Sequence, residues 1–452
     1  MNRVTQPLFS ISILPLTVCS LTMMFVNAVT PAFAEQAESQ MPSSSISSST
    51  TLHETEDYKA RRQSKHFVIE FKQDHQVLST SDINGGQTHS LKYIVNFQSV
   101  EGNGHDNRFS EILSLSNQQY HQQLADELEL DSKLMASMGT AANINNLVHV
   151  QQRFRDITVD AFVTAGVKGN ALRAGDSTRW YQGEDGNELI KDVPSEVKGS
   201  ELLEGSLLVE GSQLVKDSQL VKDSGTINII LMLNRSLTPG ALAKTATIIT
   251  EAKSAALAEL AIGSKQSSHL ATGTGTDQYA IASPVKSNLT MLDSASGHLK
   301  LGELIGSTVR EAVIQAIGLQ NGLEPSDTRH ITHALGRFGG TKSALLTRLE
   351  ELLDKDSFEL LKKNKGSVFK DAKLVAVAYA YAAVLDRIEY STLSKNIQND
   401  VLLDQAVNAA IGVSGKSQHW QTFRDQLNVK QDEPLDLFIQ ATALGWKAKW
   451  AK

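Results

Sequence analysis

Between Ala271 and Ala282 a hydroxyl recurs on every second residue (Thr272, Thr274, Thr276), with Gly273 and Gly275 between them and Asp277 closing the run. Glycine lets a backbone approach a ligand closely, and threonine hydroxyls offer donors and acceptors there. Asp277 is placed either to take a proton as a general base or to hold its loop by accepting backbone N–H bonds. Thr276, beside it, completes the candidate reactive run. Glu303 falls in the first turn of a helix predicted to begin near Leu299. There it either partners Asp277, one carboxyl serving as acid and the other as base, or complements the helix dipole. His298, just before that helix, is a candidate proton donor or a surface side chain.

Other chemistries lack their residues. His330 and His333 stand three apart with no third ligand nearby, a spacing that more often packs or caps, so no metal site is expected. No Gly-x-Ser-x-Gly elbow is present, which argues against an α/β-hydrolase triad. The chain has one cysteine, Cys19, and it lies in a segment with the marks of a secretory signal: Arg3, an apolar stretch from Leu8 to Val29, and Ala32-Phe33-Ala34 before Glu35. Cleavage after Ala34 would leave a chain without thiols, exported to the periplasm or the medium and without stable membrane insertion. A net charge of −7 with no lysine/arginine cluster makes nucleic acid a poor partner.

The elements that must position these residues follow from periodicity. Residues 35–64, rich in serine and then in charge, read as a disordered linker. Strands are predicted at Phe67–Phe71, Tyr93–Phe97 and Val159–Thr164, and a short helix at Ser116–Leu130. Residues 200–224 carry a tandem hexamer ending in two copies of Ser-Gln-Leu-Val-Lys-Asp, read as an inserted surface loop. Thr226–Leu233 is a continuous apolar run, the mark of a strand covered on both faces. Thr238-Pro239 starts a helix with Leu242, Thr245, Ile249, Ala252 and Ala256 at helical spacing. A strand at Tyr279–Ala282 and a helix at Leu299–Ile317 follow. Beyond Pro325 the pattern is helical throughout. The fold class is therefore α+β, a mixed sheet flanked by helices (65–323), followed by a small all-α domain (324–452) with no chemistry written in it.

Several separated motifs, in order, resemble the adenosylcobinamide amidohydrolase family, enzymes of corrinoid salvage. They are Val77–Gly86, Met138–Asn143, Asp160–Val167 with Asn170 and Arg173–Asp176, Gly225–Ile230, Leu237–Leu242, Thr250–Lys253, Thr272–Asp277 and Leu301–Gly306. The resemblance implies hydrolysis of the amide joining aminopropanol to the corrin, giving cobyric acid, with the corrinoid as substrate and no separate cofactor. It makes corrinoid uptake proteins candidate partners. For that substrate the residues themselves make Asn84, Gly85, Gly86, Thr140, Asn170, Arg173, Asp176, Asn228, Thr272, Thr274 and His298 candidate binding groups, and Asp277, Glu303 and Thr276 candidate catalytic ones. A corrinoid-binding protein without catalysis, and an amidase for an unrelated substrate, would use the same residues.

Overall fold

The computed structural model describes residues 49–99, 115–178, 180–184, 186–190, 225–286, 288–429 and 433–451. The predicted signal peptide, residues 35–48 of the predicted linker and the repeat insertion at 200–224 lie outside them. Two sheets are built from β1 (Thr50–Glu54), β2 (Tyr58–Gln63), β3 (His66–Phe71), β4 (His75–Ser79), β5 (Gly86–Thr88), β6 (Tyr93–Gln98), β7 (Met135–Thr140), β8 (Val148–Phe154), β9 (Ile157–Ala165), β10 (Ile227–Leu233) and β11 (Gln278–Pro284). One sheet has the order β1-β2-β3-β6-β7, the other β5-β4-β11-β10-β9-β8. Each is antiparallel apart from one parallel pair, β6–β7 in the first and β10–β11 in the second.

Strand alternation sends side chains to two different cores. On β10, Ile227, Ile229, Leu231 and Leu233 pack against α2 (Pro239–Glu259) and α3 (Lys300–Asn321). Ile230 and Met232 face the other way, meeting Phe67, Ile69 and Ile94 of the first sheet. Burial on both faces is why this strand reads as an unbroken apolar run. The outer face of the first sheet is covered by α1 (Asn117–Leu128), whose Leu124, Ala125 and Leu128 cover Val68, Val95 and Met135. The architecture is thus helix, sheet, sheet, helix. The expected mixed sheet with flanking helices is present, but it is two stacked sheets. The extra strands include β1 and β2, which fall inside the expected linker 35–64. Their signal is weak because exposed or half-buried charges (Lys59, Arg61) alternate with only two buried side chains, Tyr58 and Ala60.

The parallel pair β10–β11 is joined by α2. Thr238 caps that helix, its side chain accepting from the Ala241 N–H, and Pro239 occupies the first turn. The segment after α3 folds as helices Ile331–Leu335, Lys342–Leu352, Lys355–Phe369, Ala372–Glu389, Lys395–Ser414, Trp420–Gln426 and Pro434–Trp450. They enclose their own core, with Phe358, Tyr381, Phe438 and Trp446 inside. Hydrogen bonds nevertheless join this helical region to the sheets' loops. The Arg337 guanidinium, paired with both Asp386 oxygens, donates to the Ser268 carbonyl, and His333 Nε2 donates to that of Leu260. His330 caps the helix Ile331–Leu335. The His-x-x-His pair therefore does packing and capping work.

Asn228 corrects one expectation. Its side chain is fully buried between the sheets rather than open to a ligand. Nδ2 donates to Asn96 Oδ1 (3.0 Å) and to the Gly139 carbonyl (2.7 Å), while Asn96 Nδ2 donates to Thr164 Oγ1 (2.9 Å). An amide set in an apolar strand thus stitches β10 to β6 and β7. Removing one partner of a buried network leaves the others unsatisfied, at a cost of about 1–3 kcal/mol. Asn228→Ala should lower the unfolding free energy by that much, read as a lower urea midpoint at unchanged m-value. An unchanged midpoint would mean the network contributes nothing.

Candidate functional site

The loop signatures meet at one end of the six-stranded sheet, where β9 ends and β10 and β11 begin. Asp277 lies at their centre. Its Oδ1 accepts from the Ile227 N–H (3.0 Å) and the Thr274 hydroxyl (2.5 Å), and its Oδ2 from the Thr274 N–H (2.9 Å) and Lys253 Nζ (2.5 Å). The Lys253 and Asp277 side chains are 13% and 12% exposed, so this ion pair is held largely out of water. Lys253 belongs to α2, the crossover between the two strands that flank the carboxylate. One pair therefore pins helix, strand end and loop together.

Around this pair stand the other loop residues. The Thr276 and Thr226 hydroxyls are 2.5 Å apart. Asn170 Nδ2 donates to Thr276 Oγ1 (3.2 Å) and to the Gly225 carbonyl (2.9 Å). Ala171 and Leu172 pair antiparallel with Thr274 and Gly273. Thr272 Oγ1 accepts from the Ala174 N–H (2.8 Å). Asp176 accepts from the Arg173 N–H and from the Ser264 and Ser267 hydroxyls, and the Arg173 guanidinium reaches the Tyr390 hydroxyl (3.2 Å) and lies over its ring. Asp176 is thus a loop organiser, and Arg173 a link to the helical region. Thr276 and Gly275 are exposed, so solvent reaches the loop next to the buried pair.

Asn84, Gly85 and Gly86 form the turn leaving β4, whose Ser79 pairs with Ala280 just inside β11. Asn84 adopts a positive φ of 55° and donates to the Ser132 and Met135 carbonyls, while a Cβ on Gly85 would stand 1.9 Å from the Ser81 carbonyl oxygen. Thr140 is buried, its hydroxyl accepting from the Ala142 N–H. These residues therefore shape loops through their own hydrogen bonds. The last turn of α3 braces the same end: Gln320 Oε1 accepts from the Asn143 N–H and Asn321 Oδ1 from the Val167 N–H.

Glu303 and His298 are not part of this assembly. Glu303 lies at the opposite end of α3, about 27 Å along the axis from Asn321 at 1.5 Å per residue, and it is exposed and paired with Lys300. His298 is exposed beside it. Asp277 is therefore paired with Lys253 and not, as expected, with Glu303. A first-turn position says how Glu303 meets the helix dipole, not which sheet end the helix starts from.

A second polar group escaped sequence reasoning. At the far end of the sandwich, His149 Nε2 is 2.7 Å from Asp160 Oδ1, and His53 Nε2 is 3.7 Å from the same oxygen. Burial pushes the His53 imidazole below its ordinary pKa, the Asp160 charge opposing and His149 adding to the shift. Burial and then Asp160 push the Tyr58 phenol up. A cavity of about 230 Å³, bordered by Tyr58, Gln151, Asp160 and Asn234, opens beside them.

Comparison with known proteins adds family information. The family described as adenosylcobinamide amidohydrolase matches residues 48–325. An uncharacterized protein of Methanocaldococcus jannaschii is 32% identical over 262 residues, covering 56% of this chain and 86% of that protein. A solved Pyrococcus horikoshii structure aligns at 10% identity with a TM-score of 0.25, over 59% of this chain and 82% of that one.

The matched span contains the whole Asp277 assembly, in which Gly273 lies directly against the ion pair. A Cβ there would lie 2.4 Å from Asp277 Oδ2 and 2.8 Å from Lys253 Nζ. Gly273→Ala must displace the ion pair, and overpacking of this kind costs about 1–3 kcal/mol. Thermal unfolding should show that loss, whereas Gly297→Ala, with open space at its Cβ, should unfold like the parent. Equal melting of all three proteins would show that the loop accommodates a side chain.

Proposed function

The chain belongs to the adenosylcobinamide amidohydrolase family, and we propose that it hydrolyses the aminopropanol amide of adenosylcobinamide to give adenosylcobyric acid. The observation that carries the assignment of the site is the Lys253–Asp277 pair, largely buried beneath a threonine/glycine loop whose Gly275 and Thr276 are exposed. Amide hydrolysis needs a proton acceptor for the attacking water, positive charge or donors for the oxyanion, and a proton for the departing amine. In this reading Asp277 exchanges one of its donors for water and takes its proton as the oxygen attacks the amide carbon. Lys253 stabilises the oxyanion and, when the C–N bond breaks, supplies the proton that leaves with the amine. Asp277 then passes the proton it took to Lys253, which it contacts directly, so both groups are restored, and the carboxylic acid product ionises to solvent. Thr276, Thr226 and Asn170 supply the hydroxyls and amide that face the polar edge of the corrin, whose amide side chains need donors and acceptors in pairs.

The Ala32-Phe33-Ala34 sequence before Glu35 supports action outside the cytoplasm on corrinoids being salvaged. Among the described residues no helix is long and apolar enough to cross a membrane.

The full chain incubated with adenosylcobinamide should convert it to adenosylcobyric acid, read by mass spectrometry. In the folded fraction, Asp277→Asn and Lys253→Met should each lower kcat by about 10²–10⁴-fold, the usual contribution of acid–base catalysis. Glu303→Gln should turn over like the parent. Binding without product would overturn the reaction, and full turnover by Asp277→Asn would overturn the site.

A further inference from the structure

At the end of the sandwich away from Asp277, three strands from two sheets bring ligating atoms together. His53 comes from β1, His149 from β8 and Asp160 from β9. One atom from each lies within 4.8 Å of the other two. We propose that His53, His149 and Asp160 bind a divalent transition-metal cation of the Zn²⁺ class.

The geometry is close to what such a cation requires. Zinc bonds of about 2.0–2.2 Å to nitrogen and oxygen set the ligand atoms roughly 3.3 Å apart in a tetrahedron. The His53 Nε2 to Asp160 Oδ1 distance of 3.7 Å is already near that edge. The His149 Nε2 to Asp160 Oδ1 distance of 2.7 Å is a hydrogen bond that a cation would open by about half an ångström. Imidazole and carboxylate ligands suit zinc and its neighbours in the first transition row. Three protein ligands leave a fourth position for water.

Charge points the same way. Asp160 is 5% exposed, and its ion-pair partners among the described residues are the two histidines. The further hydrogen bond on it comes from the Gln151 amide (2.8 Å). Buried carboxylates require a counter-charge, and a divalent cation would supply one. The supporting groups have the form of an outer ligand shell: Gln151 fixes the carboxylate, and Phe162 stacks on the His149 ring at 4.3 Å with an interplanar angle of 8°. His53 Nε2, by contrast, is buried and makes no hydrogen bond. The other histidine–carboxylate group, His269 with Asp386 and Glu389, is already engaged, since Arg337 holds both Asp386 oxygens and Ser268 donates to Glu389.

Calorimetric titration of the chelator-treated full chain with Zn²⁺ tests this, with Co²⁺ absorption as a second readout of tetrahedral nitrogen and oxygen coordination. The expectation is one equivalent bound by the parent and by His269→Ala, and no saturable binding by His149→Ala or Asp160→Asn. Gln151→Leu keeps all three ligands and should weaken binding about 10–100-fold, as loss of an outer-shell partner does. If the ligand variants fail to fold by circular dichroism, Gln151→Leu and His53→Ala decide the matter. Absence of zinc uptake by the parent, unchanged affinity in the ligand and Gln151 variants, or loss of binding in His269→Ala would overturn the assignment.

Discussion

The Asp277 carboxylate is the point on which one end of the molecule depends. Two backbone N–H groups, a threonine hydroxyl and a lysine ammonium converge on it from β10, its own loop and α2. Breaking such a largely buried pair by removing one partner costs about 3–5 kcal/mol, because the other charge is left uncompensated. The pair therefore holds the crossover against the strand ends and stores positive and negative charge under a partly exposed loop. In the proposed reaction the same fixed carboxylate would need little reorganisation to act.

The same logic orders the surrounding loops. Asn170 spans Gly225 and Thr276, Asp176 gathers Ser264 and Ser267, and α3 closes the Asn143 and Val167 turns with its last two residues. The segment between α2 and the Asp277 loop is in turn gripped by His333 and Arg337 of the helical region. That region carries none of the family motifs, yet it touches the chain a few residues before Thr272. Its contribution is to fix the approach of the loop, a positioning role that its sequence does not announce.

What was legible from residues alone was whatever is local. The two-sided burial of β10, the Thr238-Pro239 start of α2 and the carboxylate ending a glycine/threonine run all have short-range signatures. Glu303 was misplaced because helix-end chemistry carries no information about which end of a sheet the helix meets. Lys253 lay within a recognised motif, but a lone lysine on an amphipathic helix reads as a solvated charge until the loop folds against it. Asn228 is expected on the substrate, but its partners, Asn96 and Gly139, belong to a second sheet that no local pattern around Asn228 announces. His53, His149 and Asp160 share no spacing at all. Only strand register, with Gln151 opposite Asp160, and the stacking of two sheets bring them together.

The two ends of the six-stranded sheet thus carry different chemistry, and only one of them is assigned to the corrinoid. Amide hydrogen exchange of the full chain with and without adenosylcobinamide distinguishes them directly. Slower exchange confined to residues 225–228, 270–280 and the loop at 170–176 is the predicted result. Protection appearing instead around His53, His149 and Asp160, with the Asp277 loop unchanged, would contradict the placement of the site.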